Sequence, residues 1–234
     1  MQGSGNNGHH MGSTKAWFLS GMILALLIAS DLVANATLAG GRAAAAEPKD
    51  TAFSGDPDKP RRHFRARDVA DMSAEEREAL YQRIRQRLRA GYALADDAAS
   101  QNYQDWTRVN SAPYGSATHG KRFINNYANT VAGAYRNYET AGALPEGAII
   151  AKDSFVVASD GTVTPGPLFL MEKMQKGFSY VSGDWRYTMI LPDGSVFGVT
   201  NGENAERVEF CIGCHLAREK FDHLFFVPKA YRTN

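Results

Sequence analysis

Cys211-Ile212-Gly213-Cys214-His215, close to the C-terminus, is the stretch against which the rest of the chain is read. C-x-x-C-H is the attachment signal of a c-type haem. Two thiols three residues apart lie on one helical turn, so each can form a thioether with one of the two haem vinyls. The adjacent histidine is then held beneath the iron and supplies Nε2 as the proximal ligand. The chain has 234 residues and two cysteines, and both fall inside this motif. A thioredoxin-like C-x-x-C opens a helix early in a βαβ unit, and too little chain follows His215 for that fold to complete itself. A structural zinc site takes four ligands. His9, His10, His63, His119 and His223 add no second C-x-x-C and no H-x-x-x-H. The reading is one covalent haem c per chain, held by Cys211 and Cys214 with His215 on the iron, and no disulfide.

Working back from the motif, the preceding residues are strand-like. Trp185, Tyr187, Met189 and Leu191 alternate with Arg186, Thr188 and Ile190, which gives one strongly apolar face. Pro192-Asp193-Gly194 turns that strand into Ser195 to Val199. Pro167 to Met174 is a further apolar segment. Leu144-Pro145-Glu146-Gly147 is a turn that feeds Ala148 to Val157, and Asp160-Gly161 makes the next turn. Short strands joined by tight turns argue for an antiparallel sheet. Phe123 to Tyr138 reads as a short extended segment followed by a helix from about Thr130. Phe221, Leu224, Phe225, Phe226 and Val227 either line the haem pocket or finish the core. All-helical cytochromes c carry the motif near the N-terminus, and four-helix cytochromes c′ carry it at the end of a bundle. Here it follows a sheet.

Upstream, Ser73 and Glu76 form a capping box ahead of Leu80, Ile84 and Leu88, one apolar stripe of a helix that Gly91 stops. Arg83, Arg85, Arg87 and Arg89 occupy its other faces as a solvated surface. Tyr103, Trp106 and Val109 suggest another helical piece, and Ala112 to Gly115 a turn into the main domain. Residues 47–68 hold Pro48, Pro57, Pro60 and several charges, which reads as a linker. Before that, Lys15 precedes an apolar run from Ala16 to Ala29, with small residues around Ala34-Asn35-Ala36 and up to Ala46. This is the pattern of a signal peptide and is short for a membrane span, with an uncleaved anchor as the alternative. The expected organisation is a leader at 1–46, linker and helical extension at 47–112, and a haem domain at 113–234. The fold class is α+β, an antiparallel sheet flanked by helices. With 26 basic and 25 acidic residues, no global field points to nucleic acid. Export would place the protein in the periplasm.

The C-terminal motif behind a sheet, Leu144 to Lys152, Gly183-Asp184-Trp185 and the trailing Asp222 to Pro228 together resemble the cytochrome P-460 family, whose sheet-based relatives include cytochrome c′-β. The similar part runs from about Pro113 to Arg232. The resemblance implies a homodimer with five-coordinate iron, and a lysine at the place of Lys152 covalently joined to the porphyrin edge. Members with that crosslink oxidise hydroxylamine and pass electrons to a soluble redox partner. Members without it bind NO or CO and are not enzymes.

Read on its own, Lys152 shares a strand face with Ile150, Ser154 and Val156, where burial depresses an ammonium toward the neutral, nucleophilic amine. The plainer alternative is an edge lysine that reaches solvent or pairs with Asp153 or Glu172. On the distal side, Arg122, Asn125 and Asn126 stand near where the family has an arginine. Phe123, Phe155 and Phe169 are candidates for an apolar distal wall. His119, Met171 and Met174 are the candidate sixth ligands of an electron carrier, and Glu172, Glu206 and Glu209 the candidate proton acceptors.

Overall fold

The computed structural model describes residues 58–233. The leader expected at 1–46 and the first part of the linker lie outside the described residues. Among the described residues no helix is long and apolar enough to cross a membrane.

The fold is α+β, built on one antiparallel sheet of eight strands. These are β1 (Thr107–Arg108), β2 (Tyr114–Ser116), β3 (Arg122–Ala128), β4 (Ile149–Val157), β5 (Val163–Pro165), β6 (Leu168–Lys173), β7 (Trp185–Ile190) and β8 (Val196–Val199). The main order is β1-β3-β4-β6-β7-β8, with β2 on β3 and β5 on β4. Among the described residues three α-helices accompany them: α1 (Ala74–Tyr92), α2 (Ala98–Asn102) and α3 (Glu209–Leu216).

The sheet carries a core on each side because side chains alternate across a strand. Ile124, Ile150, Phe169, Met171, Tyr187 and Met189 face the side where α3 and Phe225 lie. Phe123, Tyr127, Ala151, Phe155, Leu168, Leu170 and Ile190 face α1. The capping box at Ser73 and Glu76 forms as expected, with each side chain meeting the other's backbone N–H. The expected stripe packs onto the sheet through Leu80 and Leu88, joined by Tyr81 and Tyr92. Fully burying one such leucine is worth about 1.5–3 kcal/mol.

Polar groups lock α1 to the sheet. The buried Asp153 carboxylate accepts hydrogen bonds from Tyr81 Oη at 2.6 Å, Tyr103 Oη at 3.1 Å and Asn125 Nδ2 at 2.9 Å. Arg108 pairs bidentately with Glu78 at 2.9 and 2.6 Å. The extension is therefore part of the sheet domain's second core rather than an appendage.

Several local expectations change. Tyr103, Trp106 and Val109 do not share a helix. After α2 the chain makes one 3-10 turn, and Trp106 leaves it extended to enter β1. Tyr114 and Gly115 belong to β2, where the antiparallel ladder to Phe123 and Ile124 outweighs the turn propensity of the preceding proline. The helix expected from Thr130 is a 3-10 segment, Gly133–Thr140, interrupted at Tyr138. Residues 58–68 are irregular but are not a free linker. Ala66 N donates to Gly120 O at 2.8 Å, Arg122 Nη1 to Phe64 O at 2.6 Å, and Arg207 pairs with Asp58. They form a strap across the sheet domain.

Candidate functional site

Helix α3 presents Cys211, Cys214 and His215 to a cavity whose wall is largely apolar. The facing wall comes from the sheet: Ile150 and Lys152 of β4, Phe169 and Met171 of β6, Tyr187 and Met189 of β7. His63, His119 and Phe225 complete it.

His215 is held as an iron ligand needs to be. Its Nδ1 lies 2.7 Å from the carbonyl oxygen of His223. A carbonyl only accepts, so Nδ1 carries the proton and Nε2 keeps its lone pair. Such a partner fixes the tautomer and the ring orientation of a metal-bound histidine. Burial, with Lys152 nearby, pushes the His215 imidazole down to about 3, so the ring is neutral.

The carbonyl that does this is itself built with effort. Asp222 and His223 both have left-handed backbones, at φ 54° and 62°, a conformation that costs non-glycine residues about 1–3 kcal/mol and collects at functional sites. Asp222 is pinned by Lys173 Nζ and Leu144 N, and its carbonyl by the Trp185 indole. Gly183 lets the His223 ring approach to where a Cβ would stand, 2.5 Å away.

Lys152 is 4 % exposed. The alternation expected from the sequence puts it on the cavity face, next to Phe169 in the ladder. Among the described residues no hydrogen bond or ion pair holds its ammonium; Asp153 and Glu172, the partners considered from the sequence, are engaged by Tyr81, Tyr103 and Asn125 and by Arg186. Burial draws Lys152 down to about 8, opposed only by the charges of thiolates at Cys214 and Cys211. Cys211 itself is pushed up to about 12 by burial. It is therefore an uncharged thiol near neutrality, and the opposition from it vanishes. Tyr187 Oη is buried without a partner and lines the same cavity. Thiols on one helical turn, a tautomer-fixed imidazole, an unpaired amine and an unpaired hydroxyl around one apolar space fit a haem.

The other sequence-selected residues divide. Phe169 lines the cavity, but Phe123 and Phe155 do not. They pair across β3 and β4 on the opposite face, stacked toward α1, so the expected three-phenylalanine wall reduces to one ring. Asn126 is on the cavity side of the sheet, yet its amide is used between Tyr114 Oη at 3.0 Å and Tyr135 Oη at 2.8 Å. Asn125 belongs to the Asp153 network. Arg122 lines a neighbouring cavity beyond Phe169. Met171 lines the haem cavity and Met174 does not. Of the acids, Glu172 pairs with Arg186, Glu206 sits in a 3-10 turn and Glu209 is exposed in the first turn of α3.

His119 lines the cavity, buried, with Nδ1 2.9 Å from Ser116 Oγ and 3.2 Å from Thr118 Oγ1. Burial, then Lys152, keeps its imidazole well below the ordinary histidine value. His63, which no sequence pattern marks as a site residue, also lines the cavity. It stacks on His119 with ring centroids 5.1 Å apart and meets Phe169 and Phe210 edge-on at 4.8 and 4.7 Å. An irregular strap has no period, so no pattern in the sequence could place it.

A family model described as cytochrome P460 matches residues 100–226, more than half of the chain. None of the curated proteins matches it.

Proposed function

The chain belongs to the cytochrome P460 family and is a haem c cytochrome, and on that premise we propose that it oxidises hydroxylamine at an open iron position. One haem per chain is held by thioethers from Cys211 and Cys214, with His215 Nε2 beneath the iron. When bound, the haem supplies an iron that takes a small nitrogen ligand and accepts its electrons. The observation that carries the reading is Lys152: a buried, unpaired amine in the haem cavity beside both cysteines. With burial drawing Lys152 down to about 8, a fraction of it is the neutral, nucleophilic amine near neutral pH, placed to become a third covalent tether on the porphyrin edge. Such a tether distorts the macrocycle and shifts the iron's potential.

The chain's own residues set the rest. His223 O keeps Nδ1 of His215 protonated and so strengthens the donor nitrogen on the other side of the ring. The Ser116 and Thr118 hydroxyls orient His119 and leave its Nε2 as a hydrogen-bond partner for a ligand in the cavity. Phe169, Met171 and Met189 exclude water. The apolar gas-binding alternative is weakened, because Phe123 and Phe155 face α1 and two imidazoles stand in the cavity instead. The soluble electron acceptor and the homodimer come with the family resemblance. Action outside the cytoplasm follows from the leader-like N-terminus and from where c-type attachment takes place.

Lys152→Met tests the reading. The reduced wild-type protein should show a strongly red-shifted Soret band and oxidise hydroxylamine with an artificial acceptor. The variant should keep its haem, return the band to the position usual for c-type haem and lose most turnover. An identical spectrum and rate in both proteins would remove hydroxylamine oxidation from the account.

A further inference from the structure

The strap at 58–68 lies before the residues matched by the family, and through His63 it closes one side of the haem cavity. A second, small cavity lies beneath it, lined by Pro60, Arg62, Phe64, Arg122, Phe197 and Phe210. Three side chains border both spaces: His63, Phe169 and Met189. They are the wall between the haem cavity and an outer chamber roofed by the strap.

The three are not equally fixed. Phe169 and Met189 are opposite each other in the β6–β7 ladder and almost fully buried. Their backbones cannot shift without breaking the sheet. His63 hangs from irregular backbone held at its neighbours, through Phe64 O to Arg122 and Ala66 N to Gly120 O. Its ring touches His119, Phe169 and Phe210, and among the described residues it makes no hydrogen bond. Unlike the two ladder residues, it can therefore move with the strap without breaking the sheet.

We propose that His63 is the gate of the distal side, a specificity-determining residue. Its closed ring admits ligands of two or three heavy atoms from the outer chamber and rejects larger ones. Diatomic gases and hydroxylamine pass, whereas imidazole does not. The strap is then the device that adds selectivity to an otherwise accessible haem cavity. This rests on an open iron position and not on hydroxylamine being the substrate.

The test uses haem-loaded protein and ligand binding rather than turnover. Stopped-flow association of CO with the reduced form, and of imidazole with the oxidised form, is compared in wild type, His63→Ala and His63→Phe. His63→Ala should accelerate CO association at least tenfold and give imidazole measurable binding. His63→Phe, which refills the gap, should restore slow CO association. Gly120→Ala is an independent route to the same state, because its Cβ would stand 2.0 Å from Phe64 O and push the strap away. It should reproduce the His63→Ala rates. CO and imidazole rates within twofold of wild type in both His63→Ala and Gly120→Ala would overturn the gate. So would a low-spin wild-type spectrum that becomes high-spin in His63→Ala, since His63 would then be an iron ligand. Failure of the Lys152→Met test leaves these rates unaffected, so the two readings fail separately.

Discussion

Replacing Tyr81 by phenylalanine should lower the stability of the haem-loaded protein by about 2 kcal/mol and leave its absorption spectrum unchanged. Tyr81 Oη donates to the buried Asp153 carboxylate at 2.6 Å, one of three donors that satisfy it. A hydrogen bond to a charged group contributes about 1.5–3 kcal/mol, and removing it leaves buried acceptor capacity unmet. Tyr127 Oη loses the same partner. The phenyl ring keeps its volume, so no cavity cost is added. Asp153 follows Lys152 directly in β4, but the alternation points the two to opposite faces of the sheet. The loss should therefore be felt in α1 packing and not at the haem. Urea unfolding followed by far-UV circular dichroism would read it. With a slope of about 2 kcal/mol per M, the midpoint should fall by about 1 M, with the slope unchanged. A change below about 0.5 kcal/mol would refute the claim that the Asp153 network fastens the extension to the sheet. A shifted Soret band would refute the separation of the two faces.

Other outcomes follow from neighbouring groups. Burial holds the Asp153 carboxyl above its ordinary value of 3.8, against the lowering effect of its donors. The native state thus takes up this proton before the unfolded chain does as pH falls. The stability of wild type relative to Asp153→Asn should rise as pH drops through the raised value toward 3.8, and denaturation curves at stepped pH would show it. An unchanged difference would mean Asp153 keeps an ordinary value. Gly183→Ala places a Cβ 2.5 Å from the His223 ring at φ +62°. The left-handed backbone alone costs about 1–2 kcal/mol. Loosening of His223 O from His215 Nδ1 should raise the reduction potential, measured by spectroelectrochemistry, and an unmoved potential would show that the carbonyl does not tune the ligand.

Much of this architecture is legible in the chain, and the illegible parts have physical reasons. The capping box at Ser73 and Glu76 is a local event, decided by four consecutive residues, and it forms. The strands from Ala148 onward announce themselves by period and by their turns. The same alternation that puts Lys152 with Ile150 also puts Phe155 with Asp153, on the far face. Strand alternation alone therefore excludes Phe155 from the distal wall. Tyr103, Trp106 and Val109 satisfy helical spacing by coincidence, because pairing of Thr107 and Arg108 with Ala128 and Tyr127 is a long-range choice that spacing cannot express. His63 illustrates the hardest case. Its role depends on Gly120 and Arg122, far along the sequence, receiving the strap. The link from His223 O to His215 was equally hidden, since it depends on two left-handed residues that carry no glycine signal.

The most direct test of the central claim is the intact mass of the purified protein, followed by peptide mapping of the haem-bearing fragments. The account predicts one haem per chain, joined both to the peptide with Cys211 and Cys214 and to the peptide with Lys152. Haem on the cysteine peptide alone would contradict the third tether and with it the hydroxylamine reading. A polypeptide with no haem mass, even when produced alongside haem-attachment machinery, would contradict the account from its first residue pattern onward.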